Sequence, residues 1–367
     1  MKVGIITFHN VNNYGSVLQT YATQETFRRL GCETEVIDYS RDDQRSYWYK
    51  LKDACQRSSF SGNFFSRAAY YAIKAPSYLR QKQVFEEFLK QYVAVGAKQY
   101  SSYEQLQADP PKVDVVCTGS DQMWNSEYNK GIEKAYFLAF EDDSVAKIAY
   151  STSVGIAHFP RQEAGQIAAY LRHYKAISVR EASAVDALKE IGIEGAVQVL
   201  DPTMVLTAEE WRKLASSKYA NHKPYVLIYQ LNPNAEFDRF AEEMAKDNGC
   251  DLLRINLLYD QMSKCGTAVN IPTVSEYISL LANARCVVTD SFHGTAFCIN
   301  LNTPFYVFYP PKYSSRLESI LGLTGLEDRV VQGGNFAPEQ IRFELANEII
   351  EGERKKNIAF LKKALEV

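Results

Sequence analysis

The chain has 367 residues, 46% hydrophobic and 23% charged, with a formal net charge of -3. That length suits two domains with sizeable cores, and the composition excludes global disorder. The faintly acidic balance gives no electrostatic basis for nucleic acid as the main partner.

The N-terminus, MKVGIITFHN, is too short and too strand-like for a signal peptide, and no apolar run approaches the length of a membrane span. The seven cysteines are scattered, with no CxxC pair and no zinc-type Cys/His spacing, which fits a reducing compartment and no metal. The expectation is a cytoplasmic protein.

In chain order, residues 3–8 (VGIITF) read as a buried strand, followed by the polar loop HNVNNYG. Val17, Leu18, Tyr21, Ala22, Phe27 and Leu30 form a helical stripe, and TEVIDY is a second strand. This is the opening of a parallel α/β domain. Residues 41–112 differ: they are rich in Tyr, Phe, Lys and Arg and read as a helical insert. Strand-like runs resume at VDVVCTG, AKIAYST, KAISVRE and AVQVLDP, and composition breaks near residues 216–224. A second series follows with YVLIYQL, CDLLRIN, CVVTDS and FYVFY separated by helical stretches, and the chain closes on an amphipathic helix. The pattern predicts two α/β halves, 1–215 with its insert and 216–367, facing each other across a cleft. Ligands in such sheets collect beyond the carboxyl ends of the strands.

Four loops at those ends are unusually polar. HNVNNYGS offers Asn10, Asn13 and Ser16, with Gly15 allowing close backbone approach; a plain turn and helix cap would use the same residues. CTGSDQMWN brings Ser120 and Asp121, the latter an acid/base candidate or a cap. SVREAS carries Arg180, able to grip a carboxylate or phosphate bidentately or to pair with Glu181 on the surface; DPT follows, with Asp201 a site residue or a turn former. CVVTDSFHGTAF sets Asp290, Ser291, His293 and Gly294 where a strand hands over to a helix, a setting for anion binding and proton exchange near neutral pH. Arg316 lies one strand later and can add a second cation. GxGxxG, Walker A, HExxH and GxSxG patterns are absent, against dehydrogenase, P-loop, zinc-protease and α/β-hydrolase readings.

Taken together, TFHNVNNYGSVLQTYA, CTGSDQMWN, SVREASAVDALKEIG with VLDPT, and VVTDSFHGTAFCINLNTPF resemble the polysaccharide pyruvyl transferase family, in the family's order and over roughly residues 3–320. The resemblance implies two Rossmann-like domains in a GT-B-like arrangement. It also implies transfer of a pyruvyl group from phosphoenolpyruvate to two hydroxyls of one sugar, giving a cyclic ketal and phosphate, with no cofactor or metal. By match to the family's motifs, Arg180 and Arg316 bind the donor's anionic groups with Ser291 and Gly294. His293 sits at the reacting group, as acid/base or phosphate ligand, and Asp121 is the second candidate for proton transfer. A glycosyltransferase using a nucleotide-sugar is the alternative, and a non-catalytic glycan binder the other. The insert's Trp48, Tyr49, Phe64, Phe65, Tyr70 and Tyr71 lie among Arg45, Lys50, Lys52, Arg67 and Lys74. They read as a solvated helical subdomain, or as an acceptor-side platform for a sugar or for a membrane carrying a lipid-linked glycan.

Overall fold

The computed structural model describes residues 1–41, 47–261, 264–332 and 341–367, so Arg45 of the insert lies outside the described residues. Strands β1 (Lys2–Ile6), β2 (Glu33–Tyr39), β3 (Val95–Tyr100), β4 (Val115–Thr118), β5 (Ala146–Thr152), β6 (Ala176–Val179) and β7 (Val197–Gln198) form one parallel sheet in the order 3-2-1-4-5-6-7. Val3 pairs with Thr34 on one side and Val115 on the other, so β1 is central. Its neighbour β4 is buried along its whole length, as a parallel strand covered on both faces must be. Strands β8 (Tyr225–Tyr229), β9 (Asp251–Asn256), β10 (Thr267–Asn270), β11 (Cys286–Thr289) and β12 (Phe305–Val307) make a second parallel sheet, ordered 10-9-8-11-12.

The helical reading of residues 41–112 needs one correction. Helices α2 (Tyr47–Gln56) and α3 (Phe64–Tyr92) are there, with α1 (Tyr14–Arg29) preceding them, but the segment also supplies β3, the edge strand of the first sheet. VGAKQY escaped notice because its burial is partial and its apolar content low. Along α3 burial is uneven. Val84, Phe85, Phe88 and Leu89 enter the main core, whereas the first turns bury only Tyr70, against Leu51 and Cys55 of α2.

The two sheets are held together by polar and aromatic contacts. Tyr14 donates from its hydroxyl to the Pro272 carbonyl (2.5 Å), and its ring stacks on Tyr277 at 4.4 Å. Gln81 of α3 donates to the Leu257 carbonyl, and Asn300 donates to the carbonyls of Thr203 (2.9 Å) and Leu206 (2.8 Å). The terminal helix Phe343–Leu365 crosses back to the first sheet. There the buried Asn357 accepts from the Leu200 N–H (2.9 Å) and donates to the Leu200 carbonyl (3.1 Å) and the Tyr150 hydroxyl (3.2 Å).

Candidate active site

Strand order reverses between β1 and β4 in the first sheet and between β8 and β11 in the second. Each reversal opens a crevice beyond the strands' carboxyl ends, because the connections leave in opposite directions. Here the two crevices face one another. A cavity of about 510 Å³ between them is lined by Asn13 and Ser16 after β1, Asp121 and Gln122 after β4, Asn232 after β8, and Asp290, Ser291, Phe292 and His293 after β11. Arg316 closes one wall.

His293 is placed by its helix. Ser291 caps Phe292–Leu301, its hydroxyl accepting from the Gly294 N–H (3.2 Å), which fixes the first turn and turns the imidazole inward. The ring packs against Gly15 of α1: a Cβ there would stand 2.1 Å from Nδ1. The other nitrogen, Nε2, is 3.7 Å from Asp201 Oδ2 and makes no hydrogen bond among the described residues.

Asp201 is the hub of the first domain's side. Oδ2 accepts from Arg180 Nη1 (2.7 Å) and the Ser120 hydroxyl (2.9 Å), and Oδ1 from the Thr203 N–H (2.9 Å) and hydroxyl (2.6 Å). Burial by itself raises this carboxyl's pKa. The interaction with His293, the Arg180 charge and the Thr203 hydrogen bond overrule it and hold the group well below the usual carboxylate range.

Arg180 is buried, yet only Nη1 is engaged; Nε and Nη2 have no hydrogen-bond partner among the described residues. Its guanidinium sits 4.3 Å from the centroid of the Phe292 ring, and that of the half-buried Arg316 sits 5.9 Å from the same ring. Arg316 Nε is also unpartnered, and burial together with the nearby Arg180 charge lowers its pKa. Two like charges in a low-dielectric pocket, with buried N–H groups unsatisfied, repel each other and favour an anion between them. The surface pair of Arg180 with Glu181 does not form. Glu181 instead turns away to accept from the Gly155 N–H (2.9 Å) and the Ser153 hydroxyl.

Asp121 accepts from the Ser16 hydroxyl (2.8 Å) and the Gln122 N–H (2.9 Å), and its φ of +83° is a left-handed conformation costly for a residue with a Cβ. Asn13 caps α1 through the Ser16 N–H (3.3 Å) and also lines the cavity. Asn10 is not brought into this site: it lines a separate cavity with His9, Lys50, Lys82 and Glu86. Gly294 serves packing, since its N–H is already used by Ser291 and a Cβ would stand 2.7 Å from Thr289 Oγ1.

A family model described as polysaccharide pyruvyl transferase matches residues 13–311, a span holding the residues named around the central cavity except Arg316. The chain belongs to the polysaccharide pyruvyl transferase family. It is therefore a transferase of that type. No curated protein sequence matches it. A structure from Listeria monocytogenes described as a UDP-N-acetylglucosamine 2-epimerase superposes with a TM-score of 0.53 at 11% identity, covering 99% of this chain and 89% of that one. An MnaA–UDP co-structure from S. aureus gives 0.50 at 10% identity, covering 99% and 91%. At such identity the likeness bears on fold alone. For this pyruvyl transferase family member it agrees with the strand orders: two Rossmann-like domains facing across a cleft, in a GT-B-like arrangement.

Sequence reasoning missed Phe292 and the loop after β8. Asp290 accepts from the backbone N–H groups of Leu231 and Asn232 (both 2.7 Å) and from the Asn232 amide (2.9 Å), joining the two loops of the second crevice. Burial raises its pKa against those hydrogen bonds. The signal available was an Asn-Pro turn, LNPN, directly after a buried strand.

Proposed function

We propose that the protein transfers the pyruvyl group of phosphoenolpyruvate to two hydroxyls of one sugar in a polysaccharide or glycan precursor, forming a cyclic ketal and releasing phosphate. The observation that carries this reading is the convergence of Arg180 and Arg316 on Phe292, each with an unpartnered N–H, beside the buried Nε2 of His293. A donor with both a carboxylate and a phosphate satisfies two guanidiniums at once.

In this reading His293 Nε2 gives a proton to the methylene carbon of the donor, leaving the adjacent carbon electrophilic. One sugar hydroxyl bonds to that carbon, and phosphate departs with the electron pair of its C–O bond. The second hydroxyl closes the ring. One hydroxyl proton restores His293 and the other leaves with phosphate, so the chain ends as it began. Asp201, ionised and facing Nε2, orients the imidazole and balances its charge. Asp121, on the first domain's wall of the cavity, would relay the second hydroxyl proton to the departing phosphate. A positioned acid or base contributes about 10²–10⁴-fold in rate, and fixed cations at the leaving phosphate add to it.

On the acceptor side, a groove of about 670 Å³ leaves the cavity past Val11, Tyr128 and Tyr313, which line both. That volume leaves room for an acceptor longer than one sugar, free or lipid-linked. The decisive assay follows phosphate release from phosphoenolpyruvate with galactose-, mannose- and hexosamine-ended acceptors, for wild type and His293→Ala. Acceptor-dependent release, lost in the variant and accompanied by a ketal in the mass spectrum, is expected. Binding of a sugar nucleotide without binding of phosphoenolpyruvate, measured by calorimetry, would replace this reading with glycosyl transfer.

A further inference from the structure

The part of the molecule least explained by the catalytic cleft is the hairpin formed by α2 and the first half of α3. Its own core is small, Leu51, Cys55 and Tyr70, and residues 59–65 between its helices are all exposed. Phe64 is 71% exposed and Phe65 82%, more than any other large hydrophobic side chain described, and Phe60 beside them is 41% exposed. Exposed phenylalanine rings gain free energy on burial, so three within six residues of one exposed connection mark a contact surface. The charge agrees. Residues 47–74 contain five Lys or Arg and one Asp, a net of +4 in a chain whose total is -3.

We propose that this hairpin docks on an anionic lipid bilayer, with Phe60, Phe64 and Phe65 entering the acyl boundary and Arg57 and Arg67 meeting the headgroups. Aromatic rings flanked by cations are the composition that binds such an interface. Lys74 is paired with Asp260 and Arg57 with Asp53, which lowers the segment's effective charge but leaves it net positive, so a two-fold contact with a second copy would set like charges together and is disfavoured. No membrane-crossing helix is involved; among the described residues none is long and apolar enough. The acceptor groove passes Asp53 and Arg57 on the same hairpin. If the pyruvyl-transfer reading holds, on which this last step rests, a lipid-linked glycan would reach the cleft from the side that the hairpin holds to the bilayer.

The test is flotation of the full chain with vesicles of phosphatidylcholine alone and of phosphatidylcholine mixed with phosphatidylglycerol. Wild type is expected to float with the mixed vesicles only, and less so as salt rises. Phe64→Ser with Phe65→Ser should weaken partition about 10-fold per ring, and Arg57→Ala with Arg67→Ala about 5-fold per cation. These positions are exposed, so unchanged thermal melting is expected and confirms folding. Absence of wild-type flotation at low salt, or flotation of the phenylalanine variant equal to wild type, overturns the proposal. So does a concentration-dependent dimer in light scattering that the phenylalanine variant abolishes, which would assign the surface to a second copy. Calorimetry with phosphoenolpyruvate reads the catalytic assignment separately, so the two can fail independently.

Discussion

Gly15→Ala is the sharpest probe of how the site is assembled. The added methyl would stand 2.1 Å from His293 Nδ1 and 2.3 Å from Cγ, against an ordinary contact near 3.4 Å. Neither partner is a flexible side-chain end: the methyl is fixed to α1, and the imidazole is anchored on a capped helix turn and packed beside Phe292. Relief therefore requires a relative shift of about 1.3 Å, large enough to cost on the order of 10²-fold in rate when it falls on a reacting group. Overpacking of this kind costs about 1–3 kcal/mol of stability. The assay is phosphate release at saturating donor and acceptor, alongside a thermal melt. We expect kcat to fall about 100-fold with a modest loss of Tm, and phosphoenolpyruvate affinity to change less, because Arg180 and Arg316 do not touch Gly15. A variant with wild-type turnover would refute the placement of His293 at the reacting centre. One that melts early yet turns over normally would refute the link between contact and chemistry.

Two further outcomes follow from the Asp201 hub. Arg180→Ala strands a buried carboxylate and should cost about 3–5 kcal/mol; Arg180→Lys should recover much of that in a melt yet bind phosphoenolpyruvate weakly, and equal donor affinity would argue against a bidentate grip. Asp201 has a depressed folded pKa, so its stabilisation is full above the ordinary carboxylate value of 3.8 and is lost as pH falls through the lower folded value. The stability difference between wild type and Asp201→Asn, from urea titrations, should therefore stay flat above about pH 5 and narrow below about pH 4; a difference that varies across neutral pH would contradict this.

Much of this site was legible because its polar residues interrupt apolar strands. Asp121, Arg180, Asp201 and His293 each stand within four residues of a strand's carboxyl end, and a parallel sheet collects such ends on one side whatever their separation in sequence. What the order of residues could not show was partnership. Arg180 beside Glu181 reads as a surface pair until the fold brings Asp201 to 2.7 Å. Gly15 reads as a turn glycine until a histidine 278 residues away demands its missing Cβ. Phe292 reads as packing; only its two guanidinium neighbours disclose another role. Strand β3 was hidden for the opposite reason: an edge strand with exposed Ala97, Lys98 and Gln99 lacks the apolar run that betrays a central one.

The residues that meet in the cavity are divided between the two halves of the chain. Asp201, Arg180 and Gly15 belong to the first sheet's domain; His293, Phe292 and Arg316 belong to the second. Neither half alone brings His293 to Asp201 or Arg180 and Arg316 to Phe292. On the proposed reading, the groups that would hold the donor and the imidazole that would protonate it come from different domains, so the site depends on how the two domains are packed together.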